Sequence, residues 1–417
     1  MAEATTAPKA PSRLAILIPL ILAGEAVFFL PFVIPRIFRP TLLEVFAIDN
    51  LTLGSYFSVY GIVAIGAYLL GGPLADRFSA HRLLSAALIM TALGGFVLAS
   101  FPSPSTMRWL YGIWGITTIL LFWASLMRAT RLVGGDSTQG FAFGLLDGGR
   151  GLFSALVSTA SVYILSLFLP DGDDPVAQQE GFRMVILFFT ALVILVGILV
   201  WFSLQSLDTR DVESPRLSAN ISRAMKEPLV WIQGGIILCA YSGYKITDDF
   251  SLMAQDILGY DKVESAAVGT MAFWIRPAAA IVFGLFADRF KPSRMMMVCF
   301  VLMLVAGSLV GFGFYEGFIP ASIILAICTS AVGVYAMRGL YFAVMEESHI
   351  PIAITGTVVG MASVIGYLPD IYIGPLMGHL LDSNPGPTGH ELVFLVMSGF
   401  ALGGVFLTLL LRRKLAK

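Results

Sequence analysis

The sequence is poor in charged residues and in cysteine. Only 13% of its 417 residues are Asp, Glu, Lys or Arg, against roughly 25% in soluble domains. The formal net charge is -1, so the chain lacks the basic footprint of a nucleic-acid-binding protein. Its three cysteines, Cys239, Cys299 and Cys328, lie in apolar stretches without metal-ligand spacing. These shortages exclude an ordinary soluble domain and a nucleic-acid partner, and they indicate neither a metal site nor a cofactor.

Apolar residues dominate instead. They make up 57% of the chain, and the mean hydropathy is +0.84. Because about 20 helical residues cross the hydrocarbon core of a bilayer, the recurring apolar runs predict an all-α integral membrane protein with about twelve transmembrane helices. The predicted spans are 14–36, 53–74, 82–100, 107–128, 141–168, 182–203, 228–253, 265–287, 293–314, 319–341, 353–378 and 390–411.

The spans divide six and six around a polar stretch. We predict an N-terminal lobe (1–203), a cytoplasmic linker (204–227) and a C-terminal lobe (228–417). Lys and Arg are retained on the cytoplasmic side of membrane proteins. Most of the basic residues between the spans fall on one side when both termini are placed in the cytoplasm. The sequence therefore predicts a multi-pass protein with both termini cytoplasmic.

A repeated motif relates the two halves. GPLADRFSAHR (Gly72–Arg82) follows the second span, and GLFADRFKPSR (Gly284–Arg294) follows the eighth, 212 residues later. The pairs Met127–Arg128 and Met337–Arg338 close the fourth and tenth spans at an offset of 210 residues. Since the register holds over several helices, the chain is a duplicated six-helix unit with two pseudo-symmetric lobes.

The repeated G-x-L-A-D-R loop with following basic residues resembles the signature of the major facilitator superfamily. That resemblance implies a monomeric secondary transporter of an inner or plasma membrane, with no enzymatic activity. Its two lobes would surround a midplane cavity that opens alternately to each side. The Gly-rich segment Ala353–Asp382 resembles the organic-anion and organophosphate antiporter branch of this family.

The loop carboxylates and nearby arginines are the predicted gating residues. A carboxylate at a cytoplasmic helix end pairs with an arginine or a helix N-terminus only when those ends lie together. By the resemblance, such contacts latch the outward-open state; ordinary loop salt bridges are the alternative. The predicted gating residues are Asp76, Arg77, Arg82, Arg128, Asp288, Arg289 and Arg338.

Two arginines are predicted at mid-depth. Arg276 precedes Asp288 by twelve residues, which places it roughly 18 Å from the cytoplasmic edge at 1.5 Å per residue. Arg150 lies at a similar depth, with Asp147 one helical turn before it. A guanidinium binds carboxylate or phosphate through two parallel hydrogen bonds. We therefore expect both arginines to bind an anionic substrate; the alternative is a structural pair between the lobes, such as Arg276 with Asp147.

Four acids are candidates for proton coupling. A lone carboxylate within the membrane is costly, so Glu25 in the first span is a candidate proton carrier, unless it pairs with one of the two arginines. Asp147 is a second candidate. Asp248 and Asp249 lie one turn after Lys245, so the three side chains can neutralise one another on one face. This group fits an outer gate or a proton site, and equally a water-exposed helix end.

Aromatic residues complete the predicted cavity. We expect substrate contacts from Phe28, Tyr60, Tyr244 and Trp274, although aromatic side chains in such helices also simply pack. No nucleotide loop, metal cluster or nucleophile pattern is present in the sequence.

The best account is a transporter of a small organic anion, coupled to protons or to a counter-anion. A proton-coupled sugar or drug carrier is the alternative within the same class. A receptor-like or lipid-handling membrane protein without transport is the alternative outside that class.

Overall fold

The computed structural model describes residues 13–134, 139–169, 174–205, 207, 228–340 and 362–415. Nearly all of the predicted linker, and residues 353–361 of the predicted eleventh span, lie outside these ranges. The long helices, numbered in chain order, are α1 (Arg13–Ala26), α2 (Asn50–Arg77), α3 (Ala80–Ala99), α4 (Pro104–Gly134), α5 (Gln139–Ser166), α6 (Pro175–Ser203), α7 (Pro228–Ile246), α8 (Lys262–Phe290), α9 (Pro292–Gly311), α10 (Ala321–Leu340), α11 (Pro369–Ser383) and α12 (Pro387–Leu415).

Helical segments thus occupy the predicted positions, and the all-α membrane fold is confirmed for the described ranges. Eight of the described helices are long and apolar enough to cross a membrane, or nine if the bent α1 and its continuation count as one span. The end of the bundle that carries the connections from α1 to α2 and from α7 to α8 is called the predicted outer end below. The opposite end is the predicted cytoplasmic end.

Several predicted spans depart from continuous α-helix, and two of these breaks concern the buried charges. After α1 the chain bends by 40° and continues through a π-helical segment, Phe29–Val33, into Ile34–Ile37. Proline in this stretch removes a backbone donor, which favours a departure from regular α-helix. After α7 the chain passes through a 3₁₀ turn, Thr247–Asp249, into the helix Phe250–Leu258. The prediction of uninterrupted helices was wrong at these two places, and both breaks lie beside buried charged residues.

Buried apolar residues form two clusters that correspond to the two halves of the chain. One extends from Leu17 to Leu204 and also takes in Ala266 and Phe273, and the other extends from Ile236 to Leu411. Within the halves, α3 packs on α6 and α9 packs on α12. Between the halves, α2 packs on α11 and α5 packs on α8. Several of the charged residues described below lie on these helices, including Arg150 on α5, Arg276 on α8 and Asp370 on α11.

The interlobe contact between α2 and α11 is a backbone contact. A Cβ added at Gly54 would lie 2.3 Å from the carbonyl oxygen of Gly374, and one added at Gly378 would lie 2.5 Å from the carbonyl oxygen of Asn50. Only glycine permits helices to approach this closely. The predicted outer end is therefore closed between these helices.

Candidate functional site

Four charged side chains meet where the two lobes face each other. Glu25 of α1 accepts a hydrogen bond from Arg150 Nε at 3.1 Å and another from Arg276 Nη1 at 2.9 Å. Asp147 of α5 accepts from Arg276 Nη2 at 3.1 Å and lies 3.7 Å from Arg150 Nη1. We call these four residues the central cluster. Because Arg276 belongs to α8 of the second lobe, the cluster joins α1 and α5 to the opposite half.

The central cluster is buried and carries no net charge. Glu25, Arg150 and Arg276 are almost fully buried, whereas the Asp147 side chain is 30% exposed. A buried ion pair offsets its desolvation cost only when each charge finds a partner, and two carboxylates here balance two guanidiniums. Arg276 Nε is the exception, since it has no hydrogen-bond partner among the described residues. In this conformation Glu25 is therefore paired rather than isolated, and the interlobe pairing left open by the sequence is present.

The aromatic residues predicted to contact substrate do not lie together: Phe28 lies beside the central cluster, and Tyr60 contacts Thr118 instead. The Arg150 guanidinium carbon lies 5.9 Å from the ring centres of both Phe28 and Trp123. Tyr60 is buried, and its hydroxyl lies 2.6 Å from the Thr118 hydroxyl.

Trp274 does not fit the predicted substrate contact. It is 44% exposed, and its indole N–H donates to the Thr159 hydroxyl on the surface of α5 at 3.0 Å. Two residues along an α-helix correspond to a rotation of about 200°. Trp274 therefore points away from the side of α8 that carries Arg276, and this substrate assignment was wrong.

A second group of buried charges lies nearer the predicted outer end. Arg36 pairs with Asp248 through its Nε atom and donates from Nη1 to the Tyr244 hydroxyl at 2.8 Å. Lys245 lies 3.4 Å from Asp248 and 3.5 Å from Asp370. We call these residues the outer cluster. It joins the continuation of α1 to α7 and α11, and so it also crosses the lobe boundary.

The sequence did not predict this cluster. Neither Arg36 nor Asp370 is among the predicted site residues, but both are buried. The break after α1 changes the direction of the chain, so Arg36 meets α7 instead of solvent. The pairing of Lys245 with Asp248 agrees with their one-turn spacing. Asp249 does not join this pair and instead contacts His390.

Arg338 was assigned to the cytoplasmic gate, and its position requires a correction. Its guanidinium carbon lies 4.1 Å from the centre of the Tyr244 ring, and that of Arg36 lies 4.3 Å from the same centre. Arg338 therefore belongs with the residues between the two clusters. Its repeat partner Arg128 instead donates to the carbonyl of Ala75 near the end of α2, at 2.8 Å.

His390 forms a third buried group that no pattern in the sequence predicts. Its Nδ1 atom lies 2.7 Å from an Asp249 carboxylate oxygen, and its Nε2 atom lies 3.1 Å from one of Asp256. His390 and Asp249 are separated by 141 positions, and their contact depends on how α12 packs beside the broken α7. No local motif brings such residues together.

Polar contacts also close the rim of the predicted outer end. The Asp382 carboxylate of α11 accepts from the Asn50 backbone at 3.1 Å, the Asn50 side chain at 3.0 Å and the Leu51 backbone at 2.7 Å. It thereby caps the N-terminus of α2 in the other lobe. Asp49 caps the same helix from within its lobe, and hydrogen bonding to Thr52 lowers the pKa of Asp49. Charged caps of this kind stabilise a helix N-terminus.

The predicted cytoplasmic latch remains a prediction. The side chains of Asp76 and Asp288 lie outside what the structure describes. Arg77, Arg82 and Arg289 are exposed. Within the described ranges no group of three or more His, Cys, Asp and Glu residues could hold a metal ion.

Comparisons with known proteins agree with this architecture. A family model described as Major Facilitator Superfamily matches residues 21–373. Inner membrane protein YqcE of Escherichia coli (strain K12) is 28% identical over 393 residues, which cover 91% of this chain and 90% of YqcE. The structure is also similar to two solved transporters.

The xylose transporter XylE from E. coli, in a partially occluded inward-open conformation, has a TM-score of 0.71 at 14% identity. The match covers 97% of this chain and 99% of XylE. A bacterial homologue of the human lysosomal transporter Spinster, in an inward-facing and occupied conformation, has a TM-score of 0.70 at 15% identity. That match covers 97% of this chain and 98% of the homologue. At such identities these two structures establish the fold alone.

Proposed function

Because this chain belongs to the major facilitator superfamily, as the repeated loop motif predicted, we propose that it carries a small organic anion together with a proton. Family membership makes the chain a multi-pass secondary transporter and not an enzyme. The proposal adds the substrate class, the coupling ion and the topology. We place the transporter as a monomer in an inner or plasma membrane, in agreement with the name of the related YqcE, with both termini in the cytoplasm and lobes divided near residues 204–227.

The observation that carries the proposal is that Glu25 bridges Arg150 and Arg276 across the lobe boundary. A substrate carboxylate or phosphate offers a guanidinium the same hydrogen-bond acceptors as Glu25 does. An anionic substrate can therefore replace Glu25 at these arginines. Such replacement is costly while Glu25 remains ionised, because two anions would then compete for the same buried cations.

Proton binding removes this obstacle. The paired cluster has two negative and two positive groups, so protonation of Glu25 leaves one uncompensated positive charge. One anionic group of the substrate restores the balance. Proton and anion thus enter the buried site as a neutral pair, which makes their movement in the same direction energetically favourable. Asp147 is the second candidate carrier, since it shares Arg276 and is partly exposed.

The same arrangement suggests how binding is coupled to alternating access. Arg276 is held by acids of the opposite lobe, so a substrate that takes over Arg276 also changes an interlobe contact. A ligand shifts a conformational equilibrium only through different contacts in the two states. Here the differential contact is the guanidinium of Arg276.

A neutral-solute carrier is the second candidate. The charge balance of the central cluster favours it, because a balanced cluster does not require an anion to be stable. In that case Arg150 and Arg276 would hold the lobes together, and aromatic side chains would contact the solute. Anion exchange without protons is a third arrangement, which differs from the first only in its coupling ion.

Thermal stabilisation by candidate substrates tests the substrate class. Purified wild-type protein and the variant Arg276→Ala are screened against mono- and dicarboxylates, phosphate esters, sugar acids and neutral sugars. We expect an anion to raise the melting temperature of the wild type but not that of Arg276→Ala. The variant Trp274→Ala, two residues away on the exposed face, is the matched control and should respond as the wild type does. Equal stabilisation of all three proteins by a neutral sugar would refute the anion proposal.

Transport in proteoliposomes tests the coupling ion. In the variant Glu25→Gln, residue 25 can no longer exchange a proton. We expect this variant to retain exchange of the stabilising anion across the membrane and to lose accumulation driven by a pH gradient. If both activities persist, Glu25 does not carry the proton, and Asp147 is tested in the same way.

A further inference from the structure

The buried group around His390 has no role in the transport scheme described above. His390 and Asp249 are fully buried, whereas the Asp256 side chain is 29% exposed near the predicted outer end. His390 lies in the first turn of α12, Asp249 ends the 3₁₀ turn that follows α7, and Asp256 lies in the helix beyond that turn. The imidazole therefore connects α12 to the turn that follows α7 and to the helix beyond that turn.

The geometry requires a proton on each ring nitrogen when both acids are ionised. Carboxylate oxygens only accept hydrogen bonds, and each nitrogen lies within 3.1 Å of such an oxygen. Neutral imidazole has one N–H, so one of its two contacts would bring lone pairs together. The observed arrangement therefore fits imidazolium, a cation held between two anions.

Other charged groups surround this site. Arg39 interacts electrostatically with both Asp249 and Asp382. The Oδ1 atom of Asp249 has no hydrogen-bond partner among the described residues. Glu391, the residue after His390 on α12, accepts a hydrogen bond at 2.8 Å from the hydroxyl of Tyr315, which lies in the loop before α10. The charged and titratable residues around His390 are therefore Asp249, Asp256, Asp248, Arg39, Asp382, Glu391 and Tyr315.

The site lies next to a contact that joins the lobes. Asp249 follows Asp248 directly, and Asp248 pairs with Arg36 of the first lobe. Arg39 of the same lobe donates to the Asp248 carbonyl at 3.5 Å. Fixing Asp249 to α12 therefore fixes the turn that presents Asp248 to Arg36.

We propose that Asp249, His390 and Asp256 form a proton-binding site that is reached from the predicted outer end and stabilises the closed state of that end. The inference rests on proton coupling in the proposed function but concerns a group separate from Glu25. In the open state His390 is neutral. A proton from the outer solution, entering beside Asp256, binds to Nε2 while Nδ1 keeps its hydrogen bond to Asp249.

Binding of this proton adds the Nε2 hydrogen bond to Asp256, and its positive charge strengthens the Nδ1 hydrogen bond to Asp249. It thus favours the turn that holds Asp248 against Arg36. The proton leaves by the same route when the outer end opens. Because the closed state binds the proton more tightly, acid shifts the lobes toward outer closure and alkali toward outer opening.

Distance measurement between spin labels tests this site without a substrate. Trp109 and Phe318 are 76% and 81% exposed at the predicted outer ends of the first and second lobes. Both are replaced by labelled cysteines in a protein whose three native cysteines are substituted. We expect the wild-type label distance to lengthen as pH rises, and we expect His390→Gln to populate the longer distance at every pH. The proposal is overturned if the His390→Gln protein retains the wild-type response, or if the wild type shows none.

His379→Gln is the matched control, because His379 lies on α11 near the same end and is exposed. It should keep the wild-type pH response. Asp256→Asn serves as the second variant should His390→Gln fail to fold, since Asp256 is partly exposed. Loss of its charge weakens proton binding, so outer opening should occur at a lower pH, and an unchanged midpoint would count against the site. If the label distance does not respond to pH, the thermal-stabilisation test of anion binding at Arg276 is unaffected. If no anion stabilises the protein through Arg276, the pH response expected from His390 is likewise unaffected.

Discussion

Removal of the Asp382 carboxylate should open the predicted outer end. Asp382 accepts three hydrogen bonds, with distances of 2.7 to 3.1 Å, from the N-terminus of α2 in the other lobe. These bonds exist only while α2 and α11 are together. The variant Asp382→Ala therefore weakens the closed state and leaves the open state unaffected.

The size of this effect follows from the contacts. Each hydrogen bond contributes about 0.5–1.5 kcal/mol net, and a charge at an exposed helix N-terminus adds about 0.3–1 kcal/mol. Because the site lies on a partly exposed rim, we take the low end, about 2 kcal/mol in total. That free energy corresponds to a change of roughly 30-fold in the ratio of open to closed protein. Asp382→Asn keeps an uncharged acceptor and should produce a smaller change, about fivefold.

The label pair at Trp109 and Phe318 measures this ratio. Asp174→Ala is the matched control: Asp174 also caps a helix at the predicted outer end, by accepting from the Val176 backbone at 3.1 Å, but within one lobe. We expect no change in the distance distribution of this control. If Asp382→Ala leaves the distribution unchanged, or if Asp174→Ala shifts it equally, the cap does not hold the lobes together.

Two further substitutions test closure at the two ends of the bundle. Gly54→Ala places a methyl group 2.3 Å from the Gly374 carbonyl oxygen, so the outer label distance should lengthen; Gly66→Ala on the same helix, with open space around it, should not change it. Asp76→Asn removes a charge from the predicted cytoplasmic latch and should shift the protein toward the inward-open state. Unchanged labelling of cysteines placed in the central cavity would argue against that latch.

The sequence predicted the scaffold well because the bilayer imposes simple rules. Spanning helices must be apolar over about 20 residues, and a duplicated unit repeats its loop motif at a constant offset. These local signals located the helical segments and the family. They also predict mid-depth positions for Arg150 and Arg276, since a continuous helix rises by a fixed distance per residue.

Contacts between distant segments could not be predicted in the same way. Glu25, Asp147 and Arg276 belong to three helices, and the sequence alone left both pairing and substrate binding open. Arg36 and Asp370 were not predicted as site residues because their burial depends on the bend after α1 and on the packing of α7 and α11.

The sequence by itself determined that this protein lies in a membrane, that it is helical and that it is built from a duplicated unit. Composition and local periodicity are enough to show each of these properties. The tertiary structure decided which charges neutralise one another: Arg276 with Glu25 and Asp147, Arg36 with Asp248, and His390 with two acids. The physical reason is that burial makes an unpaired charge costly, but the identity of its partner depends on how helices from both lobes pack.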